Sequence, residues 1–258
     1  MTDSIISKLF SVEGKVALVS GASRGLGQAM ALALAQAGAK VVALGSRPES
    51  LQKTCDLFKE HKLDIRALGC DQRSADSIRS TVAQVLEEFG RIDILINNAG
   101  TIHRDPAHEF SDEDWDDVIE TNLNGVFRMC REVGRSMLKN GSGKIINIAS
   151  LLSFSGGITV PAYAASKGGV AQLTKALANE WAKDNVQVNA IAPGYFETDN
   201  TENLRKDSER SASISARIPT ARWGMPDDLA GTAIYLSSKA SDYVNGHVLL
   251  VDGGWMAR

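Results

Sequence analysis

The chain reads as an α/β protein built on an open parallel sheet with helices on both faces. Three observations carry that expectation. Short apolar runs recur along the chain, dense in Val and Ile on both faces, as in parallel strands covered from both sides. Longer segments with helical spacing separate them, giving a βαβα rhythm. A glycine cluster follows the first run at once, at the strand end where sheets of this kind bind ligands.

The first predicted strand covers 15–20. Ser20-Gly21-Ala22-Ser23-Arg24-Gly25-Leu26-Gly27 follows and runs into a helix over 25–37. Glycines permit a tight turn and close backbone approach to a pyrophosphate. The helix N-terminus offers free N–H groups and partial positive charge to that phosphate. A glycine cluster also makes a plain tight turn, but its place between a first strand and a helix points to a dinucleotide. The second strand, 40–45, ends in Leu44-Gly45-Ser46-Arg47. No carboxylate stands there to take a ribose 2′-hydroxyl, as is common for NAD. Ser46 and Arg47, with Arg24, could cradle a 2′-phosphate, which favours NADP over NAD; solvated arginines are the alternative.

The third strand, 64–70, ends at Asp71, which meets an adenine edge or caps the helix over 75–89. The fourth, 92–96, leads into Asn97-Asn98-Ala99-Gly100, whose amides hold strands together and whose small residues leave room for a ribose; an Asn-Asn turn is the alternative. The fifth, 143–149, ends at Ser150. The sixth, 186–192, leads into Pro193-Gly194 at the same sheet edge, and the seventh covers 247–251. The segment 196–222 breaks the rhythm. It is polar, charged and weakly periodic, as a substrate lid or a surface excursion would be.

Four residues carry the chemistry: Asn122, Ser150, Tyr163 and Lys167. Tyr163 and Lys167 are four apart on a predicted helix, 163–182, and share a face. A cation beside a phenol lowers a pKa that is ordinarily about 10. Tyr163 is then an acid/base near neutral pH. Ser150, at the end of an apolar run, can hydrogen-bond the same substrate oxygen. The set suits moving a proton while a hydride moves elsewhere.

Composition narrows the classes. At 258 residues the chain is long enough for a large core and is ordinary for one α/β unit. The net charge of −3 offers no basic surplus for nucleic acid. Cys55, Cys70 and Cys130 are scattered, without a CxxC pair, and predict neither a disulfide framework nor a metal site. Met1-Thr2-Asp3-Ser4 lacks the basic start of a signal peptide, and no apolar run approaches the ~18 residues of a membrane span. A cytoplasmic location is expected.

Taken together, the residues resemble the short-chain dehydrogenase/reductase family over the whole chain. The resemblance rests on Gly21, Gly25 and Gly27, the run Asn97 to Gly100, the tetrad, and Pro193-Gly194. Ser20 stands where the family usually has Thr, and the hydroxyl is kept. The resemblance implies a Rossmann-type doubly wound parallel sheet of about seven strands in three α/β/α layers. It implies one NAD(P)-binding domain over 1–258, a lid at 196–222, and a homotetramer. It implies that Tyr163 transfers the proton and that Lys167 lowers its pKa and binds the nicotinamide ribose. Ser150 would orient the carbonyl or hydroxyl, and Asn122 would hold a water that links Lys167 to solvent. Besides the groups already placed near NADP or NAD, it implies cofactor contacts for Ser23, Leu26, Asn98, Ala99, Gly100, Pro193, Gly194, Phe196 and Thr198.

Segments 100–104, 147–154, 192–196, 221–224 and 251–258 look like the 2-dehydro-3-deoxy-D-gluconate 5-dehydrogenase branch of that family. A small carboxylate-bearing substrate follows, and a carboxylate suits an Arg fork. Arg104 is the first candidate, with Arg217 and Arg222 flanking the lid; Ser150, Leu152 and Tyr195 are expected beside the substrate. Arg258 could reach a neighbouring subunit. The alternatives are another carbonyl, such as a 3-oxoacyl thioester or xenobiotic ketone, and a non-catalytic nucleotide sensor. Loss of catalysis would normally show as a replaced Tyr163 or Lys167, and both are present.

Overall fold

Seven parallel strands form one sheet in the order β3-β2-β1-β4-β5-β6-β7. The structure is a computed structural model describing residues 4–258; Met1, Thr2 and Asp3, part of the N-terminal stretch read above, lie outside the described residues. The strands are β1 (Val16–Ser20), β2 (Lys40–Gly45), β3 (Ile65–Gly69), β4 (Ile94–Asn97), β5 (Gly143–Ile148), β6 (Val186–Pro193) and β7 (Val248–Val251). The helices are α1 (Ile5–Phe10), α2 (Gly25–Gln36), α3 (Gln52–Glu60), α4 (Ala75–Phe89), α5 (Asp112–Ile119), α6 (Gly125–Asn140), α7 (Pro161–Trp181), α8 (Glu202–Lys206), α9 (Ser208–Arg217) and α10 (Ala230–Ser237). The fold is the expected Rossmann-type α/β/α arrangement.

Alternation along β1 shows how both faces are covered. Val16 and Leu18 pack with Ile78, Val82, Met129, Val133 and Leu177 from α4, α6 and α7. Ala17 and Val19 point the other way, into Met30, Leu34, Phe58 and Leu236 from α2, α3 and α10. Period-two alternation therefore feeds two separate cores. β1 pairs with β2 on one side and β4 on the other, so the chain reverses its direction of travel across the sheet between them. The crevice at the carboxyl ends of β1 and β4 is the topological switch point.

β4 begins at Ile94; just before it Asp93, 5% exposed, accepts the Val16 N–H on its carboxylate at 2.9 Å while its own N–H donates to Val16 O at 2.9 Å. The 196–222 segment is more ordered than its sequence suggested and carries α8 and α9. Ile214 and Ile218 are buried with Trp223 and with Leu151 and Trp255, the last two distant in sequence. A window read alone shows no such periodicity. Between α5 and α6 lies a π-helical turn, Glu120–Asn124, which holds Asn122. Such turns frequently mark functional sites.

Leu18 is fully buried in the central strand. Leu18→Ala is expected to cost about 2–5 kcal/mol. Urea unfolding followed by circular dichroism should show a lower midpoint with an unchanged slope.

Candidate active site

The tetrad is assembled from three elements: the π-helical turn, the loop after β5 and α7. Asn122, with no exposed surface, binds Thr101 twice: its Oδ1 accepts from Thr101 N at 2.8 Å and its Nδ2 donates to Thr101 O at 2.9 Å. The same Nδ2 donates to Ser166 Oγ at 3.2 Å, and Ser166 donates to Tyr163 O at 2.8 Å. The amide thus ties the loop after β4 to α7. Ser150 follows β5 in an extended conformation, and its N–H donates to Ser153 Oγ at 3.2 Å. Ser153 donates to Lys167 O at 2.7 Å, so one hydroxyl joins the serine loop to the lysine's own turn. Sequence reasoning missed Ser153 and Ser166, because a serine in a helix or turn carries no distinguishing pattern.

Lys167 is 4% exposed, and its Nζ donates to Ile148 O at 2.6 Å. The Nζ lies 5.6 Å from the Tyr163 ring centroid. An ammonium has three N–H donors, and among the described residues Ile148 O is the only acceptor it meets. A Cβ at Gly100 would sit 3.1 Å from Asn122 Oδ1 and 3.9 Å from Lys167 Nζ. Glycine therefore keeps open the space over which the lysine presides.

The charge balance differs from the sequence expectation. Burial pushes the Tyr163 phenol above its ordinary value, outweighing the Ser150 hydrogen bond and the Arg104 charge that pull it down. Burial also lowers Lys167 to about 8. The expected depression of Tyr163 by Lys167 is thus corrected: desolvation dominates both groups, and Arg104 is the cation felt at the phenol.

The cofactor candidates ring the switch point. Ser20 Oγ accepts from Asn98 N and Ala99 N, both at 3.1 Å, so the hydroxyl that replaces Thr is used. Asn98 Nδ2 donates to Gly21 O at 2.9 Å. A Cβ at Gly21 would lie 2.7 Å from Ala99 Cα, and one at Gly27 would lie 2.3 Å from Gly21 O. These glycines are demanded by loop-on-loop packing. Ser23, Gly25 and Leu26 are half-buried in the same turn, while Arg24, Ser46 and Arg47 are exposed at its rim. Asp71 does not cap α4; Ser74 does, accepting from Ser77 N at 3.2 Å. Asp71 instead accepts from Arg73 N at 3.0 Å. Gly194, after Pro193, donates its N–H to Val251 O at 2.9 Å. Phe196 is buried, and Thr198 N donates to Thr201 Oγ1 at 3.1 Å.

The substrate candidates divide. Arg104 is exposed, with Asn200 O at the limit of hydrogen bonding, 3.5 Å. Arg217 stacks on Trp255 at 4.1 Å, and Arg222 forms a fork with Asp228 at 2.6 and 2.9 Å. Arg222 thus already holds a carboxylate, while Arg217 lies on an aromatic face; both contacts brace the 196–222 segment. Arg258 Nη2 donates to Ala216 O at 3.4 Å, within its own chain. Tyr195 packs against Trp223 and Trp255, and Leu152 is half-buried beyond Ser150. Cys70 and Cys130 are buried thiols and Cys55 is half-buried, all three free; burial pushes Cys130 up to about 12. Among the described residues no group of His, Cys, Asp and Glu is placed to hold a metal ion, and no helix is long and apolar enough to cross a membrane.

The family model for short chain dehydrogenases matches residues 15–209. The chain belongs to the short-chain dehydrogenase family. It is 54% identical to the 2-dehydro-3-deoxy-D-gluconate 5-dehydrogenase of Pseudoalteromonas atlantica, over 96% of this chain and 98% of that one. It is 51% identical to the Escherichia coli K12 protein of the same name, over 98% of this chain and 100% of that one. A gluconate 5-dehydrogenase from Burkholderia cenocepacia, crystallised with NADP and tartrate, superposes with a TM-score of 0.94 at 39% identity, covering 97% of this chain and 98% of that one.

Lys167 gives this short-chain dehydrogenase a measurable signature. Its folded pKa, about 8, lies below the unfolded value of 10.5. Below about 8 both states are charged and the folded state carries the whole desolvation cost; above 10.5 both are neutral and the cost is gone. Lys167→Met is therefore expected to raise stability at pH 7. The gain should shrink as pH climbs from 8 to 10.5, as thermal unfolding at several pH values would show.

Proposed function

We propose that this chain is an NAD(P)-dependent oxidoreductase that transfers a hydride between a nicotinamide cofactor and a keto or hydroxy group of a small sugar acid. The observation that carries this reading is the buried Lys167, held by Ile148 O beside Tyr163 and Ser150 at the carboxyl end of β5. The names of the relatives and the NADP in a structural neighbour support it. We take residues 1–258 as one NAD(P)-binding domain with a lid at 196–222, in a cytoplasmic homotetramer with no nucleic-acid partner.

The residues fit the cofactor. The crevice between the β1 and β4 loops would hold the dinucleotide, with the α2 N-terminus toward its pyrophosphate. Gly100 leaves space where Lys167 would meet the nicotinamide ribose. The bound cofactor supplies or accepts the hydride. Reduction of a carbonyl builds negative charge on oxygen, and the hydroxyls of Tyr163 and Ser150 are two donors aimed at one place. Burial keeps the phenol protonated, which suits it as the proton donor. The charge of Arg104, which reaches the phenol, then stabilises the phenolate left behind. Asn122, fixed to both Thr101 and Ser166, would hold the water that returns the proton. Arg104 remains as the cation for the substrate carboxylate.

Tyr163→Phe is expected to keep dinucleotide binding and lose well over ~10²-fold in turnover. Near-normal turnover would remove Tyr163 from the chemistry. NADPH and NADH oxidation against 2-dehydro-3-deoxygluconate, a uronate-derived keto acid, an acetoacetyl thioester and a neutral diketone tests the substrate class. Turnover confined to the acidic sugars supports the proposal, and turnover on the thioester or diketone alone discards it. Arg104→Ala should raise KM for the acidic sugars more than for any neutral ketone turned over. Equal effects would take Arg104 out of carboxylate binding.

A further inference from the structure

Arg24 and Asp199 face each other from two loops at the carboxyl edge of the sheet. Arg24 sits on the loop after β1 with an extended backbone (φ −168°, ψ 174°) at the start of α2. Its Nε lies 3.2 Å from Asp199 Oδ2. Asp199 belongs to the loop after β6, at the entry to the 196–222 segment. The two loops touch, since a Cβ at Gly25 would sit 3.5 Å from Thr198 Cγ2. The backbone around Asp199 is held in place. Thr201 Oγ1 accepts from Thr198 N at 3.1 Å and donates to Phe196 O at 2.6 Å. Arg205 Nη2 donates to Thr198 O at 3.2 Å.

This pairing bears on cofactor choice. β2 ends without a carboxylate, which leaves Arg24 and Arg47 as the cations for a 2′-phosphate. Asp199 brings a carboxylate to Arg24 from a different element. We propose that Asp199 tunes the preference for NADP over NAD by competing with the 2′-phosphate for Arg24. With NAD, Arg24 stays paired and its charge is compensated. With NADP, the phosphate takes the guanidinium and Asp199 is displaced into solvent, so part of the phosphate's gain is spent on breaking the pair. The chain consequently accepts both dinucleotides and discriminates between them less than its arginines alone would. The two side chains are 68% and 67% exposed, which makes the competition modest and sensitive to salt.

The inference rests on the dinucleotide binding proposed above, and its test separates the two. Fluorescence titration would give dissociation constants for NADPH and NADH with the wild-type chain, Asp199→Asn, Arg24→Gln and the double variant. Calorimetry with 2′,5′-ADP and 5′-AMP would isolate the phosphate. Glu209→Gln, at another carboxylate of the same segment, controls for net charge. Asp199→Asn is expected to tighten NADPH and 2′,5′-ADP about two- to fivefold at low salt, the scale of an exposed pair. NADH and 5′-AMP should barely move, and the gain should fade near about 0.5 M salt. Arg24→Gln should abolish the effect of Asp199→Asn, and Glu209→Gln should leave the selectivity unchanged. An unchanged NADPH-to-NADH ratio in Asp199→Asn, an equal shift in Glu209→Gln, or a shift that persists without Arg24 would overturn the inference. Failure of the wild-type chain to bind either dinucleotide would overturn the dinucleotide reading itself.

Discussion

A buried ammonium is the constraint on which the site depends. Lys167 enters the protein interior against a desolvation cost large enough to move its pKa to about 8. Ile148 O, at the end of β5, offsets part of that cost with a hydrogen bond of 2.6 Å. The bond fixes α7 against the carboxyl edge of the sheet. Tyr163, one turn earlier on α7, and Ser150, just beyond β5, are brought together by the same contact. A group that costs stability while placing two others is what a site shaped for chemistry leaves in a protein interior.

Around this anchor the structure relies on small polar residues that join loops. Ser20 gathers the loop after β4 onto the loop after β1. Asn122 ties that loop to α7 through Thr101 and Ser166. Ser153 ties the loop after β5 to the same helix. Each connection is a buried or half-buried hydrogen bond, costly to leave unmade. Together they turn loops from β1, β4 and β5 into one rigid edge. The glycines at 21 and 27 belong to this scheme, because side chains there would force those loops apart.

The charged residues divide the rim by what they already hold. Arg217 and Arg222 are committed to Trp255 and Asp228, bracing the 196–222 segment. Arg104 is nearly free and close enough for its charge to reach Tyr163. Arg24 is paired, but with an exposed partner that a phosphate could displace. The strength of each existing partner thus separates the arginines that brace the fold from those open to ligands.

The sequence by itself determined the α/β class, the strand positions to within a few residues, and the glycine loop with the shared helix face of Tyr163 and Lys167. These rest on local properties: period-two and helical patterning, turn chemistry, and the i, i+4 spacing of Tyr163 and Lys167. Its strand ends were off by a residue or two, and it gave no sign that the Asp93 carboxylate takes the Val16 N–H across the sheet. Only the tertiary structure decided which arginines are free, that Ser153 and Ser166 hold the tetrad, and that Asp199 reaches Arg24. It also reversed the expected shift at Tyr163. A pKa, a cation's availability and a lid's packing all depend on residues far apart in sequence, and on how much water the fold removes between them.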